Sequence, residues 1–213
     1  KSAMLFFFCK TNQFAFAKPH YFCSMNFTTD VEHCLQVLQA GGVILYPTDT
    51  VWGLGCDACN VMAVQKIYQI KQREETKSMI VLLTEEREVI KYVAQPDLSV
   101  FDYLDETTKP TTVIYKGAIG MASNLIAPDG SIAIRIVKDV FCRHLIKRLR
   151  KPLVSTSANI SGQPAPALFS AIDPAITAAA DYVVQYRQND TSIAQPSAVI
   201  RWNDDGTVTV LRK

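Results

Sequence analysis

The sequence predicts an α/β domain in which helices cover a sheet. Short apolar runs bounded by turn residues alternate along the chain with segments whose apolar residues recur at helical spacing, and this alternation is typical of layered α/β folds. The chain has 213 residues, of which 48% are apolar, so it can bury a substantial core. Because neither an internal repeat nor a long Pro/Gly-rich linker interrupts it, one domain is favoured over two.

The predicted elements follow from these patterns in chain order. In the first half, helices and strands alternate as Thr29–Ala40 (helix), Val43–Tyr46 (strand), Val61–Lys71 (helix), Met79–Leu83 (strand) and Glu85–Ala94 (helix). In the second half, one helix, Val140–Arg150, lies among the strands Thr111–Tyr115, Ile132–Val137, Leu153–Ser155, Tyr182–Gln185, Ser197–Trp202 and Thr207–Leu211. The last two strands flank the turn sequence Asn203–Gly206, which predicts a hairpin.

The first 24 residues differ from the rest of the chain. They are rich in Phe, contain no Asp or Glu and show neither helical nor strand periodicity. The apolar run Met4–Cys9 is too short to span a membrane and lacks the small-residue cleavage site of a secretory signal. We expect Met25 to be the natural start, residues 1–24 to be an extension, and residues 25–213 to form the single domain.

Charge and cysteine content narrow the class of protein only slightly. The net charge is +2, but 19 basic and 20 acidic residues remain once residues 1–24 are set aside, so charge neither favours nor excludes nucleic acid. Six cysteines without a framework spacing predict a reducing, cytoplasmic setting. Cys56 and Cys59 form a single CxxC with no further ligands nearby, so no metal-ligating residue is predicted.

One polar segment follows directly on a predicted strand. Ser155–Gly162, called the cradle below, presents hydroxyls, an amide and close-approaching backbone N–H groups that could surround phosphate or carboxylate oxygens. A Ser-rich turn that merely caps a helix is the alternative reading of the same residues.

Two further polar segments stand at element ends. After the strand Val43–Tyr46, Pro47–Thr50 offers hydroxyls and a carboxylate where α/β sheets place ligands, although these residues could equally cap a turn. Three basic residues lie in the segment Lys71–Ser78, which begins at the last residue of the predicted helix Val61–Lys71. They could bind polyphosphate or simply complement the helix dipole.

Four ordered segments carry a family resemblance: LYPTDTVWGLGCDA, IKQREETKSMIVLL, SIAIRI and PLVSTSANISG. Together they resemble the signature segments of the YrdC/Sua5 family from about Asp30 to Arg212. The resemblance implies a twisted mixed sheet flanked by helices around a concave cavity. It also implies a short, single-domain enzyme that condenses L-threonine, bicarbonate or CO2 and ATP into threonylcarbamoyl-AMP, releasing pyrophosphate. The adenylate would pass to threonylcarbamoyl-transfer machinery that makes t6A at position 37 of tRNA.

The same resemblance implies roles for individual residues. The catalytic tetrad would be Lys71, Arg73, Ser157 and Asn159, and the threonine ligands would be Thr48 and Arg135. Around ATP, the tetrad would be joined by Lys77, Thr112, Ser155, Ser161, Ser197 and Arg212. Mg2+ would arrive with the triphosphate, held mainly by phosphate oxygens and water.

The implied chemistry needs no protein nucleophile. A carbamate formed from the threonine amine attacks the α-phosphorus, so positioning and charge stabilisation would carry catalysis. The three histidines fit this view, because His20, His33 and His144 all lie outside the motifs.

Some features depart from the family pattern or support other functions. Glu74 follows Arg73 where many members have Pro, Ala198 replaces a hydroxyl residue after Ser197, and the alignment around Thr112 stays open. An RNA-binding module without adenylate synthesis is the alternative function, because a basic cluster lies beside the cradle in the sequence: Arg143, Lys147, Arg148, Arg150 and Lys151. A different acceptor amino acid is a further alternative. No membrane contact is predicted.

Overall fold

A computed structural model describes residues 27–75, 79–203 and 205–213. The predicted extension, residues 1–24, and Lys77 lie outside this described part. Within it, the helices are α1 (Thr28–Gln39), α2 (Val61–Lys71), α3 (Val100–Asp105), α4 (Val140–Leu149) and α5 (Pro174–Ala179), with a 3-10 helix at Glu86–Lys91. The strands are β1 (Ile44–Tyr46), β2 (Gly53–Gly55), β3 (Ile80–Leu83), β4 (Thr111–Lys116), β5 (Ser131–Ile136), β6 (Leu153–Ser157), β7 (Tyr182–Val183), β8 (Ala198–Trp202) and β9 (Val208–Arg212).

These strands form one mixed sheet in the order β7-β1-β2-β6-β3-β5-β4-β8-β9. The pairs β7/β1, β3/β5 and β4/β8 are parallel, and the other neighbouring pairs are antiparallel. The predicted class, a mixed sheet flanked by helices, is therefore confirmed.

Side-chain caps and left-handed residues set the bounds of α2 and α4. The Asn60 side chain accepts from the N–H groups of Met62 and Ala63 at 3.0 and 3.1 Å, which starts α2 at Val61. Gln72 adopts a left-handed conformation (φ 49°) and ends the helix at Lys71. Asp139 caps α4 in the same way through the N–H of Cys142, and Arg150 (φ 58°) ends it.

The structure departs from the sequence prediction where local geometry overrides periodicity. The predicted helix Glu85–Ala94 is only a 3-10 helix, Glu86–Lys91, closed by a reciprocal capping box between Glu85 and Glu88. The strand predicted to end at Ser155 continues to Ser157, because β6 pairs with β2 there. The prediction missed β2, α3 and α5; β2 reads Gly-Leu-Gly and carries almost no strand signal.

Two faces of the molecule are packed differently. Helices α1 and α4 contact each other, and one large apolar cluster fills the interior. The strand side chains Ile80, Ile114, Ala133 and Val199 instead line an open cavity. No helix of the described part is long and apolar enough to cross a membrane.

Candidate active site

A cavity of about 550 Å³ opens over this uncovered face of the sheet and is called the active cavity below. Its walls come from β2, β3, β4, β5, β6, β8 and β9, from the cradle, and from loops that include the segment before β8. Among the lining residues that the structure describes there are three arginines and no Asp or Glu. The polar lining residues are Thr50, Arg73, Thr112, Arg135, Ser155, Thr156, Ser157, Asn159, Gln163, Ser197 and Arg212. Such a lining suits a multiply charged anion.

The cradle is fastened to the end of α2. The Nζ atom of Lys71 donates to the carbonyl oxygens of Ser157 and Asn159, at 2.5 and 2.6 Å. In return, the Lys71 carbonyl accepts from the N–H of Ser161 at 2.8 Å. One residue thus holds three positions of the cradle.

Lys71 itself lies beneath the cradle, 1% exposed, and outside the lining of the active cavity. Burial and, to a smaller extent, the nearby positive charge of Arg73 together lower the pKa of its ammonium to about 7. The resemblance implied that Lys71 is a phosphate ligand, and in the structure its Nζ donates to carbonyl oxygens of the cradle.

Several backbone N–H groups of the cradle already have protein acceptors. Those of Ala158, Asn159 and Ser161 donate to the carbonyls of Trp52, Ser157 and Lys71, and the N–H of Gln163, just after the cradle, donates to the Ile160 carbonyl. The expected nest of N–H donors for an anion is therefore largely used within the fold. Ser155 and Ser157 line the active cavity, whereas Ser161 does not.

The amide of Asn159 has a fixed orientation. Its Nδ2 donates to the carbonyl oxygens of Ile160 and Gln163 at 2.9 and 2.7 Å, while its buried Oδ1 has no hydrogen-bond partner. Because Asn159 lines the active cavity, Oδ1 is an acceptor available to a ligand hydroxyl or amine.

Arg73 follows the left-handed end of α2 and reaches the active cavity. It is half-buried, and burial lowers the pKa of its guanidinium while leaving it charged near neutral pH. It is thus the one predicted phosphate-binding cation of the 71–77 segment that both lies among the described residues and lines the cavity.

Arg135 on β5 is 3% exposed and supplies a second guanidinium. Its Nη1 donates to Thr50 Oγ1 at 3.2 Å, and its Nη2 lies 3.1 Å from Asp49 Oδ1. The geometry of this ion pair does not make it a hydrogen bond. Asp49 Oδ1 and the Nε and Nη2 of Arg135 are therefore buried without a hydrogen-bond partner. The guanidinium therefore keeps buried donors for an incoming carboxylate.

The hydroxyl of Thr48 is used inside its own loop. Thr48 Oγ1 donates to the carbonyl of Val51 at 2.8 Å and accepts from the N–H of Thr50 at 3.0 Å. Its contact with Thr50 Oγ1, at 2.9 Å, completes this set. Thr50 belongs to the predicted polar segment Pro47–Thr50 but was not named as a threonine ligand, and it lines the active cavity in place of Thr48. The sequence feature that could have indicated Thr50 is a second threonine two positions after Thr48.

A third polar group joins distant parts of the chain. Thr112 Oγ1 lies 2.9 Å from Ser197 Oγ, and Arg212 donates to the carbonyl and hydroxyl oxygens of Ser197 at 3.0 and 3.3 Å. Burial and the positive charge of Arg135 lower the pKa of Arg212. All three residues line the active cavity. Thr112 is therefore a cavity residue, although the sequence around it departs from the family pattern.

Metal ligands and general bases are not evident in the described part of the chain. It contains no group of three or more His, Cys, Asp or Glu residues that could hold a metal. Cys56 is buried and Cys59 exposed, both as free thiols. His33 contacts Tyr182 and His144 packs on Phe27, both away from the active cavity. Without a carboxylate in its lining, the cavity fits Mg2+ only as an ion carried by a phosphate ligand.

The basic cluster Arg143–Lys151 does not lie beside the cradle as its sequence position suggested. It precedes β6, whose first residues lie at the far end of the strand from Ser157. Five residues of extended chain span about 16 Å, so the cluster and the cradle lie at opposite ends of β6.

The chain is similar to several known proteins. The threonylcarbamoyl-AMP synthase of Vibrio campbellii is 34% identical over 137 residues, which are 62% of this chain and 74% of that protein. P. abyssi Sua5 complexed with L-threonine superposes with a TM-score of 0.76 at 18% identity, over 86% of this chain and 54% of Sua5. E. coli YciO superposes with a TM-score of 0.75 at 22% identity, over 87% and 89% of the two chains. At these identities the two structures support the fold alone.

The family assignment rests on a longer match. The model of the Sua5/YciO/YrdC family, which carries the description "Telomere recombination", matches residues 36–213. This range contains every described residue of the active cavity. The chain therefore belongs to the Sua5/YciO/YrdC family.

Proposed function

We propose that the protein is a threonylcarbamoyl-AMP synthase, a nucleotidyltransferase that condenses L-threonine, bicarbonate-derived CO2 and ATP and releases pyrophosphate. The observation that carries this proposal is a cavity lined by three arginines, several hydroxyls and no described acid, in a chain with relatives named for this activity. A site for one carboxylate and one triphosphate needs this charge balance.

The amino-acid end of the reaction is assigned to Arg135 and Thr50. Arg135 offers the threonine carboxylate its Nε and Nη2 donors, which have no hydrogen-bond acceptor, and Asp49 is its counter-charge. Thr50 Oγ1 already accepts from Arg135 and contacts Thr48, so its remaining lone pair suits an amine or hydroxyl of the substrate. Thr48 acts through Thr50 in this assignment, by fixing the loop.

The nucleotide end is assigned to Arg73, the cradle and the Thr112–Ser197–Arg212 group. Arg73 and Arg212 supply charge to the phosphates, while Ser155, Ser157 and Thr112 supply neutral donors. Asn159 Oδ1 accepts from a ribose hydroxyl or the adenine amine. Lys77 stays a predicted phosphate ligand, and Ser161 acts through its backbone bond to Lys71.

The chemical steps require no covalent enzyme intermediate. The threonine amine adds to CO2 and loses a proton to water, giving a carbamate. A carbamate oxygen then bonds to the α-phosphorus of ATP as the bond to the β-phosphate bridging oxygen breaks, and pyrophosphate leaves. The fixed arginines stabilise charge that moves onto phosphate oxygens. MgATP is the substrate form in this scheme, and the adenylate is passed on for t6A formation in tRNA.

A direct assay tests the proposal. Purified protein is incubated with MgATP, bicarbonate and single amino acids, and pyrophosphate and the adenylate are followed by mass spectrometry. Threonine-dependent release of both products is expected, with valine, which lacks the hydroxyl, much less effective. No amino-acid-dependent release, together with salt-sensitive RNA binding, would support the RNA-binding alternative instead.

A pair of variants ties the activity to the site. Arg73→Ala should lower turnover at limiting ATP by at least about tenfold through loss of a charge-assisted contact. Arg148→Ala, which removes an arginine paired with Glu32 outside the cavity, is the control and should keep full activity. Both variants are checked for folding by circular dichroism. Equal activity of the two would remove Arg73 from the site.

A further inference from the structure

A second pocket lies at the opposite end of the sheet from the active cavity. It has a volume of about 420 Å³ and lies between the 3-10 helix Glu86–Lys91 and the end of α4. Ile80 and Ser155 pair at the cavity end of β3 and β6, whereas Leu83 and Pro152 line the second pocket. We call it the basic pocket, because its charged lining is Glu85, Arg87, Glu88, Lys91, Lys147, Arg150 and Lys151.

The acidic residues of the basic pocket are already committed. Glu88 Oε2 accepts from the N–H and hydroxyl of Thr84 and from the N–H of Glu85, so this carboxylate is turned into the fold. Glu85 pairs with both Arg87 and Lys147, at 2.6 and 3.2 Å. One carboxylate is thus shared by two cations.

The basic pocket has more basic groups than acidic groups to pair with them. Lys151 pairs with the buried Asp57 at 2.5 Å, which brings the balance to five basic and three acidic groups. Lys91 and Arg150 form no ion pair within the described residues, and both are exposed. The C-terminal dipole of α4 corresponds to about half a negative charge, so it cannot balance the remaining two positive charges.

The surplus charge is confined to the pocket rather than spread over a surface. Arg143 donates to the Thr84 carbonyl at 2.7 Å, and Arg148 pairs with Glu32 at 2.6 Å. Of the five members of the basic cluster, Arg148 is therefore paired away from the pocket, whereas Arg143 keeps its charge beside Thr84, which lines the pocket. A confined charge of this kind favours a small anion over the extended phosphate backbone of a nucleic acid.

We propose that the basic pocket binds a small phosphate-bearing ligand. The guanidinium of Arg150 can fork onto two phosphate oxygens, and Lys91, Lys147 and Lys151 add point charges around it. The site is separate from the active cavity and does not depend on the activity proposed above. Pyrophosphate and a nucleotide phosphate share the required chemistry.

The test uses calorimetric titration of the full chain with two probes, inorganic pyrophosphate and AMP. The background is Arg73→Ala, which weakens the active cavity, with or without the added pair Lys91→Ala and Arg150→Ala. The added pair should weaken binding of at least one probe by at least about tenfold. Arg148→Ala, added to the same background, should leave the affinity unchanged. Pyrophosphate as the tighter probe identifies phosphate groups alone as the ligand, and AMP as the tighter probe identifies a nucleotide.

Three results would overturn the proposal. One is equal affinity with and without the Lys91 and Arg150 substitutions in protein that is folded by circular dichroism. Another is loss of all binding in Arg73→Ala alone, because the active cavity would then be the only site. The third is binding of a 12-base-pair RNA duplex that depends on Lys91 and Arg150, with no binding of either small probe.

Discussion

The ammonium of Lys71 donates to the carbonyl oxygen of Ser157 at 2.5 Å, across 86 residues of sequence. A second bond to the Asn159 carbonyl, and a backbone bond returned by Ser161, make Lys71 the centre around which the cradle folds. The side chains of Ser157 and Asn159 reach the active cavity because their carbonyls are held on the other side. A buried cation therefore sets the shape of a cavity that it does not line.

Arg135→Lys should separate the two substrates of the proposed reaction. Lysine keeps the positive charge but loses the planar fork, so it cannot bind a carboxylate through two parallel bonds. We expect KM for threonine to rise about 10–100-fold, with KM for ATP nearly unchanged. Steady-state kinetics with each substrate varied in turn checks this. A parallel rise in both constants would show that Arg135 serves the whole cavity rather than the amino acid.

Thr50→Val and Thr48→Val should have different consequences although the residues are two positions apart. Thr50 lines the active cavity, so the loss of its hydroxyl should raise KM for threonine about tenfold, and it also removes the acceptor of Arg135 Nη1. Thr48→Val leaves the Val51 carbonyl and the Thr50 N–H without their partner, which should cost about 1–3 kcal/mol of unfolding free energy. Urea denaturation and kinetics on both variants distinguish the roles. If Thr48→Val alone raised KM without destabilising the fold, Thr48 would be the threonine ligand that the family resemblance implied.

Gly55→Ala should destabilise the protein because β2 has no room for a side chain there. An added Cβ would lie 2.6 Å from Tyr46 Cε1 and 2.8 Å from the Val154 carbonyl oxygen. We expect a loss of about 1–3 kcal/mol from overpacking. Gly53→Ala is the matched control, since its nearest contacts are 3.2 and 3.3 Å, and it should cost less. Equal losses in urea denaturation would argue against close packing as the reason for glycine at position 55.

The elements that sequence predicted well are those with local signals. Asn60 before Val61 and Asp139 before Val140 mark helix starts with capping side chains, and both helices begin there. Strand β2 could not be predicted in this way, because Gly53 and Gly55 are present for lack of space between Tyr46 and β6, a tertiary cause. The basic cluster was misplaced for a related reason. Sequence proximity does not reveal that the cluster and the cradle lie at opposite ends of β6.

In the candidate site, too, residues within recognisable sequence segments were predicted, whereas contacts that depend on tertiary structure were not. Arg73, Arg135, Ser157 and Asn159 were named through the family segments and all line the active cavity. Thr112 and Ser197 were also predicted as site residues, but the sequence did not indicate that their hydroxyls contact each other across 85 residues. The position of Lys71 below the cradle was beyond prediction, because its partners are backbone carbonyls that leave no pattern in the sequence.

The buried ammonium of Lys71 should make stability depend on pH. Its pKa is about 7 in the folded protein, against about 10.4 in an unfolded chain. Below pH 7 both states carry the proton, and the folded state bears the full cost of the buried charge. Between about pH 7 and 10 the unfolded state binds more protons, so the contribution of Lys71 to the unfolding free energy rises with pH.

Comparing wild type with Lys71→Met isolates this effect, since the other titrating groups largely cancel. Urea denaturation at intervals from pH 6 to 10 should show wild type gaining on the variant by up to about 1.4 kcal/mol per pH unit above pH 7. Below pH 7 the difference should be constant. A constant difference over the whole range would mean that the bonds to Ser157 and Asn159 keep the pKa of Lys71 near its ordinary value, and that the cradle is built on a permanently charged lysine.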